Sequence, residues 1–447
     1  MIAERERGVH NSRRMLVWLK RIALALLLIV VLVFALIGLL TVTRGTPVEY
    51  VLAKGDPRGP PATDDPLFRR TIELNTGVDL EAGNAVQVLE NGVGTYPLLW
   101  QDIRTCRQTV TVQMYFAKPG AVADTMGAVL RECAKRGVRV LLLLDGFGAQ
   151  SLTKEWRASL TAAGVEVAYL RQLRWYTLHM ATERSHARVI VVDGRVAYTG
   201  GFGLADYWLG SGHKPDEWRE TNVRFEGPAV AELQAAFAVA WAEATGELLT
   251  GDAFYPPVSF DTAGTVRAGL FHAVPSTGST PAERFYALTI AGARKTLYIT
   301  NAYFVPDDDF RNLLKAAAKR GVDVRILTTG PNTDVRSTLW AGQWRYPELL
   351  RAGVRIYEYQ PANMHAKTLS ADGVWGSVGS MNFDNRSLAF NNETTLLIYD
   401  RRIVAGMDTM FLNDLKASKE MTLAEVRRWP WWRRARSAMA DMLERLL

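Results

Sequence analysis

Hydrophobic positions along this chain follow three different rules. From Ile22 to Val42 the run IALALLLIVVLVFALIGLLTV holds no charged side chain. As a helix rising about 1.5 Å per residue it reaches roughly 30 Å, the thickness of a bilayer core. The run therefore predicts a transmembrane helix over 22–42. A cleaved signal peptide would have an apolar region of only ~7–15 residues and a small-residue cleavage site, and no such site follows Val42. Farther on, MGAVLRECAKRG (126–137) and FRNLLKAAAKRG (310–321) space apolar residues for a helix face and end in Gly, a common helix stop. The third rule is continuity. VRVLLLL, VEVAYL, RVIVVD and VRILTT are short, apolar and rich in β-branched residues, as buried strands are.

These elements occur twice in the same order. VQMYFAKPG (112–120) parallels TNAYFVPDD (300–308), AKRGVRVLLLLDG (134–146) parallels AKRGVDVRILTTG (318–330), and AGVEVAYL (163–170) parallels AGVRIYEY (352–359). RETNVRFEG (219–227) and NETTLLIYD (392–400) close the series. Helix and strand patterns alternate within each copy, so the fold class is α/β: two tandem domains, each a mixed β-sheet flanked by helices. The divisions read from the chain are a basic cytoplasmic N-terminus (1–21), the transmembrane helix (22–42), a Gly/Pro/Asp-rich linker (43–85), a first domain (86–250), a linker (251–280), a second domain (281–415) and a basic amphipathic C-terminal segment (416–447). In that last segment Trp432, Ala435, Met439, Met442 and Leu446 recur at helical spacing among arginines. An interfacial helix on anionic lipid and a helix capping the second domain both fit this pattern.

The chemistry lies in HAKTLSADGVWGSVGSMN (365–382), an H-x-K-x4-D-x6-G-S-x-N pattern carrying His365, Lys367, Asp372, Gly379, Ser380 and Asn382. A partial copy earlier holds His186, Arg188, Asp193, Gly200 and Gly201 at the same spacings. In a strand, residues two apart share a face, so each histidine points with its Lys or Arg. Asp193-Gly194 and Asp372-Gly373 are hairpin-turn signals, and both aspartates read as turn and cap residues rather than proton donors. Two histidines can cleave a phosphodiester, one attacking phosphorus and one protonating the leaving oxygen. Lys367, Ser380, Asn382 and the backbone at Gly201 are candidates for the non-bridging oxygens. Glu220 and Glu393 stand at equivalent places in the repeat, each followed by Thr, and are candidates for orienting the imidazoles. His10, His179, His213 and His272 have no repeated context and read as surface or structural residues.

A net charge of +7 over 447 residues implies an anionic neighbour, nucleic acid or acidic lipid. Arg5, Arg7, Arg13, Arg14, Lys20 and Arg21 precede the apolar run, whereas Arg44, Lys54 and Arg58 after it are offset by Glu49, Asp56, Asp64 and Asp65. The positive-inside rule leaves the N-terminus cytoplasmic and the bulk of the chain outside. Cys106 and Cys133 have no metal-ligand spacing; buried free thiols are expected, and a disulfide would require an exported domain.

From about residue 86 to 415 the chain resembles the phospholipase D superfamily, in which two HKD motifs build one active site, and within it the bacterial cardiolipin synthases. NAYFVPD (301–307), MHAKTL (364–369), GSMNFDNRSLAFNNETTLLIYD (379–400) and WRETNVRFEGPAVAELQAAFAVAWAEATGE (218–247) carry the likeness. The resemblance implies catalytic roles for His186, Arg188, Asp193, His365, Lys367 and Asp372 and a phosphohistidine intermediate, with no metal or cofactor. It implies a membrane-bound phosphatidyltransferase of the bacterial inner membrane that acts on phosphatidylglycerol. A phospholipase D-type hydrolase and a lipid-binding protein without turnover are the alternatives. The anchor and the C-terminal segment weigh against nucleic acid. The first copy departs from the pattern, with Arg188 in place of Lys and Gly203 in place of Asn.

Overall fold

The two copies of the repeat fold with the same strand order and meet edge to edge in one sheet. The computed structural model describes residues 2–42, 48, 50–51, 60–172, 184–257, 263–274 and 279–444. From its outer edge inward, the first copy runs Glu166–Leu170, Arg139–Asp145, Thr109–Met114, Val189–Val192, Val196–Gly200, Thr221–Glu226 and Glu81–Glu90. The second runs Arg355–Tyr359, Asp323–Thr328, Thr296–Asn301, Lys367–Ala371, Trp375–Gly379, Asn391–Tyr399 and Val266–Ala273, with Ser418–Met421 added outside. The seam is the antiparallel pair Glu81–Glu90 and Val266–Ala273. Pairing is parallel between Arg139–Asp145 and its two neighbours and antiparallel toward the seam, so the sheet is mixed, as the patterning predicts.

The continuous apolar runs are explained by burial on both faces. Val140, Leu142 and Leu144 join a core with helix Ala121–Lys135, while Leu141 and Leu143 face the opposite way into a core with helix Ala229–Thr245. That second core also takes in Val378, Leu396 and Ile398 from the other copy, so the halves share hydrophobic interior. The division of the chain by contacts follows suit. Thr46–Asp441 is one compact unit, and Met1–Gly45 with Met442–Leu447 is the other.

Two stretches read as linkers hold structure. In 43–85, Asp65 caps helix Pro66–Thr76 through Leu67 N–H (2.9 Å), Pro66 starts it, and Gly77 ends it in the left-handed region. Phe68 and Ile72 of this helix are buried. The Gly, Pro and Asp that suggested a loop are the punctuation of a short amphipathic helix. Strand Glu81–Glu90 begins before residue 86, and 251–280 contains the seam strand Val266–Ala273. Cys106 and Cys133 are joined in a disulfide, with Cα atoms 6.6 Å apart, which corrects the expectation of free thiols. Cys106 follows helix Asn91–Arg104 and Cys133 lies in the last turn of Ala121–Lys135, and the packing of these two helices brings them together.

Helix Ile2–Val42 contains a 24-residue segment, Met15–Gly38, of mean hydropathy 2.9, long and apolar enough to cross a membrane. At the other end, helix Trp431–Glu444 lies with Arg433 and Arg436 turned inward and Arg434 exposed. Arg433 stacks on Trp429 at 3.7 Å and Arg436 on Trp340 at 4.1 Å, while Ala440 packs with Val305 and Ala341. Trp431, Trp432 and Met439 face outward, 80%, 54% and 64% exposed. Cation–π contacts account for this inversion of the usual amphipathic arrangement.

Candidate active site

Two short parallel bridges across the repeat deliver the histidines. Arg184–Ser185 pairs with Asn391–Asn392, and the next residues along, His186 and Glu393, meet side chain to side chain. Asn363–Met364 pairs with Trp218–Arg219, and the next residues there are His365 and Glu220. Glu393 receives His186 Nδ1 at 2.9 Å from either carboxylate oxygen, and Glu220 receives His365 Nδ1 at 2.6 Å. Each imidazole is thus held by the carboxylate of the other copy, and neither copy alone makes a site. With Nδ1 bound to a carboxylate, Nε2 is the ring nitrogen left for chemistry. His186, Glu393, His365 and Glu220 are all buried.

This crossed arrangement can be compared with known proteins. The family model described as cardiolipin synthase, PLD-like domain, matches residues 99–241 and 286–415, one match for each copy. The chain belongs to that family. It is 30% identical to a cardiolipin synthase of Halalkalibacterium halodurans over 383 residues, 85% of this chain and 76% of that protein. It is 33% identical to cardiolipin synthase A of Pseudomonas putida (strain W619) over 345 residues, 76% of this chain and 70% of that protein. Among solved structures, phosphatidylserine synthase of Haemophilus influenzae Rd KW20 shares the fold. It has a TM-score of 0.65 and 14% identity, covering 85% of this chain and all of that one. The chain is an enzyme of the phospholipase D superfamily, and each PLD-like domain supplies one histidine and the other histidine's glutamate.

Of the motif's cations, Lys367 Nζ donates to the carbonyl of His365, and Arg188 Nη1 donates to the carbonyl of His186. Arg188 Nε reaches further, to the Phe202 carbonyl at 3.2 Å. The exchange of Lys for Arg thus preserves the grip on the histidine's own backbone and adds a tie to the Gly-rich loop. Burial pushes the Lys367 ammonium down to about 8. Below that pH the cation is present; as pH rises through it, the positive charge that acts on both histidines is lost. The kcat of the enzyme is therefore expected to fall further as pH rises through about 8, above the limb set by the histidine that must hold a proton, and Lys367→Arg, a geometry the first copy already uses, is expected to move that further fall upward. A further fall at the same pH in both proteins would show that another group governs it.

The other candidates fall differently. Asp193 accepts hydrogen bonds from the backbone N–H of Arg107 (2.9 Å), Gln108 (2.7 Å) and Thr109 (2.9 Å). Asp372 does the same for Arg294 (2.9 Å), Lys295 (2.6 Å) and Thr296 (2.9 Å). Both have positive φ, as do Gly194 and Gly373, which fits type I′ turns. They pin the start of the neighbouring strand, at the far end from the histidines by roughly 20 Å of extended chain. As catalytic candidates they are corrected to structural ones. Ser380 gives its hydroxyl hydrogen to Glu393 (2.5 Å) and Gly201 gives its N–H to Asn222 (3.2 Å), so neither is free for phosphate. Asn382 is buried with its carboxamide oxygen unpartnered within the protein, and only the opposite amide rotamer would turn its N–H donors to a ligand's oxygens. His213 is exposed and His272 is partly buried at the seam; the side chain of His10 and all of His179 lie outside the described residues.

Sequence reasoning missed the aromatic walls. Tyr115 lies edge-on to His186 at 5.0 Å between ring centroids, and Tyr303 lies edge-on to His365 at 6.3 Å. Their signal was present in the repeat, since both are the Tyr of the paralleled Tyr-Phe segments. Tyr303 donates to Asp334 at 2.6 Å, and Asp334 in turn accepts from Asn363. His365 also touches Trp208 (5.6 Å) and Trp218 (4.7 Å), residues without an aromatic counterpart beside His186 among the described contacts. Among the described residues no group of three or more His, Cys, Asp or Glu is gathered as a metal would require.

The electrostatics of the two pairs differ. Burial alone would raise Glu220, but the charges of His365 and Lys367 and the hydrogen bond from His365 outweigh it and hold its carboxyl below the usual range. Burial dominates at Glu393 and pushes it up to about 7, with Ser380 and Arg188 opposing. Burial lowers both histidines; His186 is driven well below its ordinary value, with Arg188 and Lys367 adding to the effect. At His365 burial and Lys367 lower the value, and Glu220 opposes them. His186 is therefore the more firmly neutral ring, and His365 is the better placed to hold a proton.

Proposed function

We propose that this chain is a membrane-anchored phosphatidyltransferase that forms cardiolipin from phosphatidylglycerol-type donors. The single observation that supports it most is the crossed pair of His–Glu contacts, which ties Nδ1 of each imidazole to a carboxylate of the other copy and leaves both Nε2 atoms for chemistry. His186 Nε2 attacks phosphorus and forms a P–N bond. The P–O bond to the glycerol headgroup breaks, and the leaving oxygen takes a proton from His365 Nε2. A hydroxyl of a second phosphatidylglycerol then gives its proton to His365 and attacks the same phosphorus, breaking the P–N bond and releasing His186. Bonds and protons balance over the cycle, and the phosphohistidine retains the energy of the diester, so no nucleotide is consumed. In this reading Lys367, Arg188 and Asn382 meet the charge developing on the non-bridging oxygens.

The anchor is the apolar helix, which crosses the bacterial inner membrane once with the catalytic unit outside the cytoplasm. The basic N-terminal flank supports that orientation, and so does the Cys106–Cys133 disulfide, a bond that persists in oxidising compartments. The exposed Trp431, Trp432 and Met439 suit contact with the membrane interface, and the exposed Arg427, Arg428 and Arg434 suit anionic headgroups. The test is product analysis of purified protein in mixed micelles with labelled phosphatidylglycerol. Cardiolipin with an equal amount of free glycerol is the expected result. Phosphatidic acid alone would make the enzyme a hydrolase, and lipid binding without turnover would leave a non-enzymatic role.

A further inference from the structure

The glutamates that hold the two histidines are themselves held by different donors. In the second copy the Ser380 hydroxyl donates to Glu393. Its counterpart in the first copy is Gly201, which has no side chain to offer. There the Glu220 carboxylate takes a hydrogen bond from the indole Nε1–H of Trp208, at 3.2 Å, beside those from His365 Nδ1 and Thr221 N–H. Trp208 is almost fully buried, and its ring also lies edge-on to His365. The two glycines that make the first motif look degenerate adjoin this contact. A Cβ at Gly201 would come within 2.4 Å of Glu220 Oε2, and a Cβ at Gly203 within 2.7 Å of the Trp208 ring and 2.9 Å of the Phe116 carbonyl oxygen. Any side chain at 203, the Asn of the intact motif included, would displace the indole.

We propose that Trp208 is a positioning residue for His365, its indole N–H replacing the motif hydroxyl at Glu220, with Gly201 and Gly203 as the space this exchange requires. The altered first motif is then a compensated exchange rather than decay. The two donors differ chemically. A hydroxyl can donate to a carboxylate or accept from a carboxylic acid, whereas an indole N–H only donates. Trp208 therefore favours the anionic form of Glu220, the form that supports a proton on His365, while Ser380 tolerates either state of Glu393. Assigning the acid role to His365 rests on the functional reading above; the geometry at Glu220 does not.

Trp208→Phe removes the N–H and keeps an aromatic ring. It is expected to lower kcat about 10- to 100-fold with KM little changed. Loss of one hydrogen bond to a carboxylate is also expected to raise the acid limb of kcat by about half a unit to one unit. Replacing Trp208 with benzothienylalanine, which has the indole's shape without its N–H, should reproduce both effects and covers the case in which Phe disturbs folding. Gly201→Ser should be harmful in the wild-type background and less harmful alongside Trp208→Phe. The titration of His365, followed by NMR in full-length protein labelled with 13C-histidine in detergent, should shift in the Trp208 variants while that of His186 does not. An unchanged His365 titration and pH profile in the benzothienyl protein would overturn the proposal. A wild type that transfers no lipid would refute the functional reading instead, and the NMR titration would still decide the role of Trp208.

Discussion

His186→Ala and His365→Ala are each expected to lower phosphatidyl transfer by at least about 10⁴-fold, and the double variant is expected to be no slower than either single one. Such residues act as a unit, and once one is lost the other has little left to assist. Because Nδ1 of each ring is bound to a carboxylate of the opposite copy, no neighbouring imidazole can take over the vacated place. Initial rates with labelled phosphatidylglycerol, alongside thermal melting to confirm folding, check this. A single variant that keeps more than about 1% of the rate would contradict a shared site, since a positioned acid or base alone is worth about 10²–10⁴.

Glu220→Gln and Glu393→Gln are expected to cost about 10²- to 10⁴-fold, the range for losing the group that fixes a catalytic imidazole's tautomer. The two should separate when the leaving group changes. A p-nitrophenyl phosphodiester departs without protonation, so its cleavage no longer needs the acid that Glu220 supports. Glu220→Gln should then recover most of its rate, whereas Glu393→Gln, which impairs the nucleophile's partner, should remain slow. Equal recovery of both variants, or the reverse order, would exchange the roles of His186 and His365.

Much of this site is legible from residue order, because chemistry and repetition coincide. The spacing His365-x-Lys367 and His186-x-Arg188 places each cation back on its histidine's carbonyl, a consequence of side chains two apart sharing one strand face. The parallel positions of Glu220 and Glu393 mark them as a pair. Their crossing is not legible. A repeat says which residues are equivalent, but the partner of each depends on the two bridges that join the copies, and those involve two residues each. Trp208 was hidden for a related reason: its mark in the motif is what is missing at 201 and 203, which reads as loss until the indole is seen filling the space. Asp193 and Asp372 show the converse. Their invariant spacing from the histidines reflects the length of a strand and its turn, and the carboxylates spend their acceptors on backbone N–H groups. The helix Pro66–Thr76 was obscured because its capping residues are also loop formers.

The covalent intermediate is the most direct point of attack on this mechanism. The His365→Gln protein, deprived of the group that assists the second step, would be mixed briefly with a phosphatidyl p-nitrophenol labelled in its phosphate, whose leaving group departs without the proton His365 supplies, then quenched in alkali to preserve a P–N bond and digested for mass spectrometry. Label on the peptide containing His186, with p-nitrophenol released in equal amount, is the expected result. Label on no peptide while p-nitrophenol is still released, or label carried by His365 of the wild type and never by His186, would contradict transfer through His186.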